Sequence, residues 1–263
     1  MKAGGQELFE RLRASGRYGD LCPDALLRIA EECAGKYRRL KDAEGAARTA
    51  LHGVTGSFMT RADEQRFLRA LGTMGQCPDD RALEELLSCH ASTRERLPLG
   101  EARALAERLL EKTAPGGAVL DLACGIFPVL VISMGRRVTG VDLSGRAAAC
   151  VNAFANAMGD PSRTVCADLL TPGSLPEGSW DLVLMLKLLP LLDRQKKGSA
   201  ESLLETVRGR TLIASFPTRT MSGRNVGMEG HYSEWMESHV PPSRRIRDRF
   251  ILKNELFYCL EEV

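Results

Sequence analysis

Three aspartates close apolar runs in the second half of the chain. Val119-Leu120-Asp121 runs into Leu122-Ala123-Cys124-Gly125, Val138-Thr139-Gly140-Val141 ends on Asp142, and Thr164-Val165-Cys166-Ala167 ends on Asp168. A strand buried on both faces of a parallel sheet reads as such a run, and its carboxyl end is where the sheet presents ligand-binding groups. A carboxylate at the second of these ends is placed to accept hydrogen bonds from a ribose diol. Gly125 lets backbone approach a ligand, and Pro128 suits the first turn of a following helix. The turn lacks the three glycines that admit a pyrophosphate, so a nucleoside ligand without phosphates suits it better. S-adenosylmethionine fits, with its ribose at Asp142, its adenine beside Asp168 and Leu169, and its methionine end over Gly125. Each aspartate alone can be a turn or helix cap, but three at one sheet edge favour a shared site.

Three further clusters could do chemistry. In His90-Ala91-Ser92-Thr93-Arg94-Glu95-Arg96, an arginine could clamp a carboxylate bidentately, or the stretch could be a capped surface helix. Lys187 ends the apolar run Leu182-Val183-Leu184-Met185-Leu186, where a cation must reach solvent or an anion. It is a candidate substrate contact, with snorkelling to the surface as the competing account. Ser215-Phe216-Pro217-Thr218-Arg219-Thr220-Met221-Ser222-Gly223-Arg224 follows another strand and carries two arginines on a polar loop. Such a loop could grip an RNA backbone, and Phe216 could stack on a base or belong to the core.

The elements that must position these groups come in two textures. Residues 1 to 112 read as helices. Leu8, Phe9 and Leu12 share a helical face, Pro23 opens a second helix, and Ala47, Ala50, Leu51 and Val54 mark a third. Thr60 with Asp63 caps a fourth, another follows Pro78, and Ser92-Thr93-Arg94-Glu95 has capping-box form ahead of a helix from Gly100 to Lys112. Ala114-Pro115-Gly116-Gly117 is a strong breaker, which places a domain boundary between 1–112 and 113–263. Beyond it, strands are expected at 117–123, 137–142, 164–168, 180–186 and 211–216, with helices over 144–158 and 193–207 and a terminal hairpin through 250–252 and 256–260. The alternation implies an α/β doubly wound sheet, and an antiparallel last strand is the layout of Rossmann-like methyltransferases.

Composition narrows the class. The 263 residues are 44% hydrophobic and 27% charged, with no apolar run of membrane-spanning length and no signal-peptide core, so a cytoplasmic protein without a membrane partner is expected. The net charge of +2 gives no global case for nucleic acid. Local runs could, notably Lys36-Tyr37-Arg38-Arg39-Leu40-Lys41 and Arg244-Arg245-Ile246-Arg247-Asp248-Arg249, although such runs are more often solvated faces. None of the 8 cysteines forms a Cys-x-x-Cys pair, so neither a metal site nor a disulfide framework is expected.

At these clusters the chain resembles the aminoglycoside-resistance 16S rRNA (guanine(1405)-N(7))-methyltransferases of the Arm/Rmt/Kgm group, and it looks most like the Rmt branch. The resemblance rests on Leu21-Cys22-Pro23-Asp24, Ala46-Ala47-Arg48-Thr49, His90 through Leu97, Asp121 through Gly125, Lys187 through Leu192, Ser215 through Arg219, and Gly227-Met228-Glu229. It implies a class I methyltransferase fold dependent on S-adenosylmethionine, behind an N-terminal all-helical domain that docks on 16S rRNA in the assembled 30S subunit, acting as a monomer. By motif position it places cofactor contacts on Phe58, His90, Ala91, Ser92, Arg96, Gly125, Asp142, Asp168, Leu169, Leu186 and Gln195. Lys187 and Arg219 would position the target nucleotide. Two departures stand out: Asp193 replaces a Glu of several relatives, and Ile126-Phe127 replaces Leu-Asn. A small-molecule methyltransferase and a non-catalytic RNA-binding adaptor are the alternatives.

Overall fold

A computed structural model describes residues 3–55, 58–75, 78–218 and 228–263. Helices α1 (Ala3–Arg13), α2 (Pro23–Lys36) and α3 (Leu40–Thr55) bury Leu8, Leu12, Leu26, Ile29, Ala47 and Leu51 in a core of their own. Pro23 opens α2, where its missing N–H costs nothing. The Thr60–Asp63 capping box starts α4 (Arg61–Thr73), and the Asp79 side chain caps α5 (Asp80–Leu87). The Ser92–Glu95 box does not form. His90 caps the single turn α6 (Ala91–Arg94) instead, and α7 (Leu99–Leu110) starts afresh after Pro98.

The second half forms one seven-stranded sheet. Its elements are β1 (Val119–Leu122), α8 (Phe127–Ser133), β2 (Val138–Asp142), α9 (Gly145–Ala157), β3 (Arg163–Cys166), β4 (Leu182–Leu186), α10 (Leu189–Gln195), α11 (Ser199–Thr206), β5 (Thr211–Pro217), α12 (Met228–His239), β6 (Arg244–Leu252) and β7 (Glu255–Glu262). The strand order is β3-β2-β1-β4-β5-β7-β6, with the first five parallel and β7 antiparallel to both neighbours. The chain leaves β1 toward β3 and returns to β4, so a crevice opens at the carboxyl ends of β1 and β4. Phe67, Leu83, Leu86, Leu105 and Leu109 pack with α8, α9 and β1 against one sheet face. The apolar core is therefore continuous across the breaker at residues 114–117. Leu120, Val183, Met185, Leu204, Phe216 and Tyr258 fill the other face.

Three elements differ from expectation. The helix over 193–207 is two, because Gly198 adopts φ +82° and Asp193 turns back to cap Ala200 N at 3.0 Å. α12 lacks the apolar periodicity that marks a helix, since only Met236 is buried. The basic run at 244–249 is the first part of β6, an edge strand where charge discourages pairing with another chain. Arg244 itself turns inward and donates to Gly209 O and Val207 O.

Candidate active site

A cleft of about 1010 Å³ lies over the carboxyl ends of β1, β2 and β4, roofed by the helical half. Its floor begins with the β1 turn, where Gly125 has φ +52° and donates its N–H to Asp142 Oδ2 at 2.7 Å. A Cβ on Gly125 would lie 2.6 Å from the His90 ring, so glycine is needed here for both conformation and space. Asp142 Oδ1 accepts from Ser144 N at 2.8 Å, which fixes the carboxylate between two backbone donors. Burial nevertheless raises its pKa above the ordinary value.

Asp121, one strand over, is buried, and neither carboxyl oxygen has a hydrogen-bond partner. Burial pushes its pKa up to about 8, against the opposing charge of Arg96 and with help from Asp142. His90 is also buried and its pKa falls to about 4, through desolvation and the charges of Arg96 and Arg94. The neutral ring accepts from Ser92 N at 3.3 Å through Nδ1 and stacks on Phe58 at 5.8 Å.

Arg96 is buried with its Nη2 paired to Glu255 at 3.0 Å, its guanidinium 5.3 Å from the Phe127 ring centre, and its Nε without a partner. Phe127, which follows the β1 turn, therefore packs under this arginine. Glu255 is the first residue of β7, delivered by the two-residue turn at Lys253-Asn254. Burial would raise its pKa, but the charges of Arg96 and Lys187 and the Ser215 hydroxyl outweigh that and hold it below the ordinary value. Lys187 leaves β4 with φ +57°, an unfavourable conformation for a lysine, held by its N–H donating to Ser215 Oγ at 3.0 Å. Its ammonium reaches Glu95 at 2.5 Å and Glu255 at 3.6 Å. At the other end of the cleft, Asp168 pairs with Arg28 at 2.8 Å, and Arg28 also donates to Gln195 at 3.0 Å.

The cleft thus brings together Phe58, His90, Ala91, Ser92, Arg96, Asp142, Asp168, Leu169, Leu186, Lys187 and Gln195, with Gly125 holding its floor from beneath. Arg219 and the rest of its loop lie outside the described residues. Phe216 is core: it is 1% exposed, stacked on Tyr232 at 4.9 Å. Sequence reasoning missed Arg28, Glu255 and Tyr232, the last of which also lines the cleft. Arg28 and Glu255 are ordinary charged residues in their local sequence, and only their partners 140 and 159 positions away distinguish them. Among the described residues no cluster of His, Cys, Asp or Glu could hold a metal ion, and no helix is long and apolar enough to cross a membrane.

Five parallel strands, an antiparallel β7 inserted beside β5, and a cleft with acids at successive strand ends define a class I S-adenosylmethionine-dependent methyltransferase fold. The same fold occurs in the crystal structure of the 16S rRNA methyltransferase RmtF in complex with S-adenosyl-L-homocysteine, at TM-score 0.90 and 39% identity over 100% of both chains. It recurs in the 16S rRNA methylase RmtB, at TM-score 0.85 and 31% identity over 98% of both. The ribosomal RNA methyltransferase (FmrO) family matches residues 14–259, and the chain belongs to it. Relatives named 16S rRNA (guanine(1405)-N(7))-methyltransferase occur in Serratia marcescens, 34% identical over 95% of each chain, and in Micromonospora echinospora, 29% identical over 97% of this chain and 96% of the relative.

Proposed function

We propose that this protein transfers a methyl group from S-adenosylmethionine to N7 of guanine 1405 of 16S rRNA within the assembled 30S subunit, and so confers aminoglycoside resistance. The observation that carries the reading is the single cleft joining Asp142, Asp168 and Lys187 at neighbouring strand ends, in a chain matched nearly end to end by enzymes of that name. Two groups of the cleft that lack hydrogen-bond partners also suit the cofactor. The Asp121 carboxyl and Arg96 Nε are complementary to the ammonium and carboxylate of an amino-acid moiety. In this reading Asp142 holds the ribose, and Asp168, Leu169, Leu186 and Gln195 surround the adenine. The Gly125 turn with Phe58, His90, Ala91, Ser92 and Arg96 holds the methionine end.

The cofactor supplies a methyl group on a sulfonium, which is already a good leaving group. Guanine N7 attacks with a lone pair and has no proton to lose, so the protein need not provide a general base. Its task is orientation: holding N7 in line with the methyl carbon, with the base turned out of its stack. Lys187 and Arg219 are assigned to the target nucleotide. Lys187 is poised by Glu255 and Glu95, whose carboxylates it can exchange for a phosphate or base oxygen. Residues 1–112 form the docking part, with the exposed Lys36, Arg38, Arg39 and Lys41 at the α2–α3 turn as its basic edge, and residues 113–263 carry the methyltransferase. We assign the protein to the cytoplasm as a monomer.

The test offers labelled cofactor with 30S subunits, naked 16S rRNA and small acceptors in parallel. Label is expected on 30S subunits, with a primer-extension stop at guanine 1405. Label on a small acceptor alone would overturn the reading, and label nowhere would favour an RNA-binding adaptor.

A further inference from the structure

The strongest unassigned contact around the cleft comes from α2, outside both the sheet and its loops. Arg28 lies on α2 with its side chain 19% exposed, and one edge of its guanidinium makes two contacts. Nε donates to Asp168 Oδ2 at 2.8 Å, and Nη2 donates to Gln195 Oε1 at 3.0 Å. Asp168 follows β3 and Gln195 ends α10, so one planar group ties together two walls that, among the described residues, no backbone hydrogen bond joins directly. The rest of each side chain is fixed locally: Asp168 Oδ1 accepts from Leu170 N at 3.0 Å, and Gln195 Nε2 donates to Leu191 O at 3.2 Å. Without Arg28 the carboxylate of Asp168, 4% exposed, would be buried with no cation paired to it among the described residues, and the Gln195 carbonyl would lose its contact with α2.

We propose that Arg28 is a positioning residue of the cofactor site, contributed by the helical lobe, which orients Asp168 and Gln195 for the adenine. The proposal rests on the cofactor reading above. Its physical basis is the fork: a guanidinium donates along two parallel N–H bonds held in one rigid plane, whereas a lysine ammonium is a compact donor on a flexible stem without that fixed geometry. The lobe that carries the basic α2–α3 turn is thereby connected to the nucleoside end of the cleft through one side chain.

The full-length protein and its Arg28→Met and Arg28→Lys variants would be titrated calorimetrically with S-adenosylhomocysteine and with S-inosylhomocysteine, whose base carries an oxygen in place of the 6-amino group. The wild type is expected to prefer the adenine compound. Arg28→Met is expected to bind it about tenfold more weakly, the size of one lost charged hydrogen bond, and to discriminate less between the two. Arg28→Lys should recover part of the affinity by reaching Asp168. Unchanged affinity in Arg28→Met would overturn the proposal, as would an equal weakening for both compounds, because a purely structural role has no reason to read the 6-position. If Arg28→Met does not fold, full discrimination in Arg28→Lys would overturn it. No binding of either compound by the wild type would overturn the cofactor reading itself.

Discussion

Asp142 and Asp121 sit on adjacent strands and do different work. Asp142 is held by two backbone N–H groups and is the proposed holder of the ribose. Asp142→Ala should weaken S-adenosylhomocysteine binding about tenfold or more in calorimetry, and an unchanged constant would remove it from the site. Asp121 has no partner and a pKa of about 8 against an ordinary 3.8. A raised pKa means that the folded state holds its proton longer than the unfolded chain does. The stability this contributes is therefore complete below pH 3.8 and is lost as pH rises through about 8. Urea midpoints of the ligand-free wild type should fall relative to Asp121→Asn across that window, and parallel curves would refute the assignment. His90 has the opposite sign: its pKa is lowered from 6.5 to about 4, so its contribution fades as pH drops through that interval. Both aspartates were visible in the sequence as acids closing apolar runs. Their different electrostatics were not, because burial and partners come from other strands.

At the scale of elements, local signals were read best where the physics is local. The Thr60–Asp63 box is a contact within one turn, and it forms. Thr60→Ala should lower stability by about 1 kcal/mol in urea unfolding. The five parallel strands and the terminal hairpin followed from apolar runs and breakers in the same way. Gly125→Ala is expected to abolish or strongly weaken cofactor binding, since the φ of +52° costs a side chain roughly 1–2 kcal/mol and the new Cβ meets His90. Binding equal to wild type by calorimetry would show that the turn can relax. The Ser92–Glu95 box was misread because His90, one of the cleft's own residues, takes the cap position first. The start of β6 was hidden because its arginines look like a solvated run until β7 pairs with them.

At the scale of the molecule, the helical half is fastened to the sheet by several contacts besides Arg28. Arg146 pairs with Asp20 at 2.9 Å and Glu64 at 3.1 Å, Cys22 N donates to Leu143 O at 2.9 Å, and α4, α5 and α7 share the sheet's core. If the helical half docks on rRNA as proposed, contacts of this kind would hold the cleft in a fixed relation to the RNA. Reversing Lys36, Arg38, Arg39 and Lys41 to Glu should remove most 30S methylation while leaving S-adenosylhomocysteine affinity unchanged. Wild-type association with 30S should weaken steeply with salt, because each phosphate contact releases counterions. Methylation by the reversed variant at the wild-type rate would move the docking surface elsewhere.

By itself the sequence determined the class of fold, the strand-end acids Asp142 and Asp168, the Gly125 turn, and through its motifs the family. Those properties are carried by neighbours in the chain, where periodicity, breakers and turn chemistry act over a few residues. The tertiary structure alone decided that Arg96 faces Glu255, that Lys187 is bracketed by Glu95 and Glu255, and that Arg28 braces Asp168 and Gln195. A charge in a helix looks the same whether it faces water or a carboxylate more than a hundred residues away. Only the packing of α2, α6 and β7 around the carboxyl ends of β1 and β4 makes that distinction.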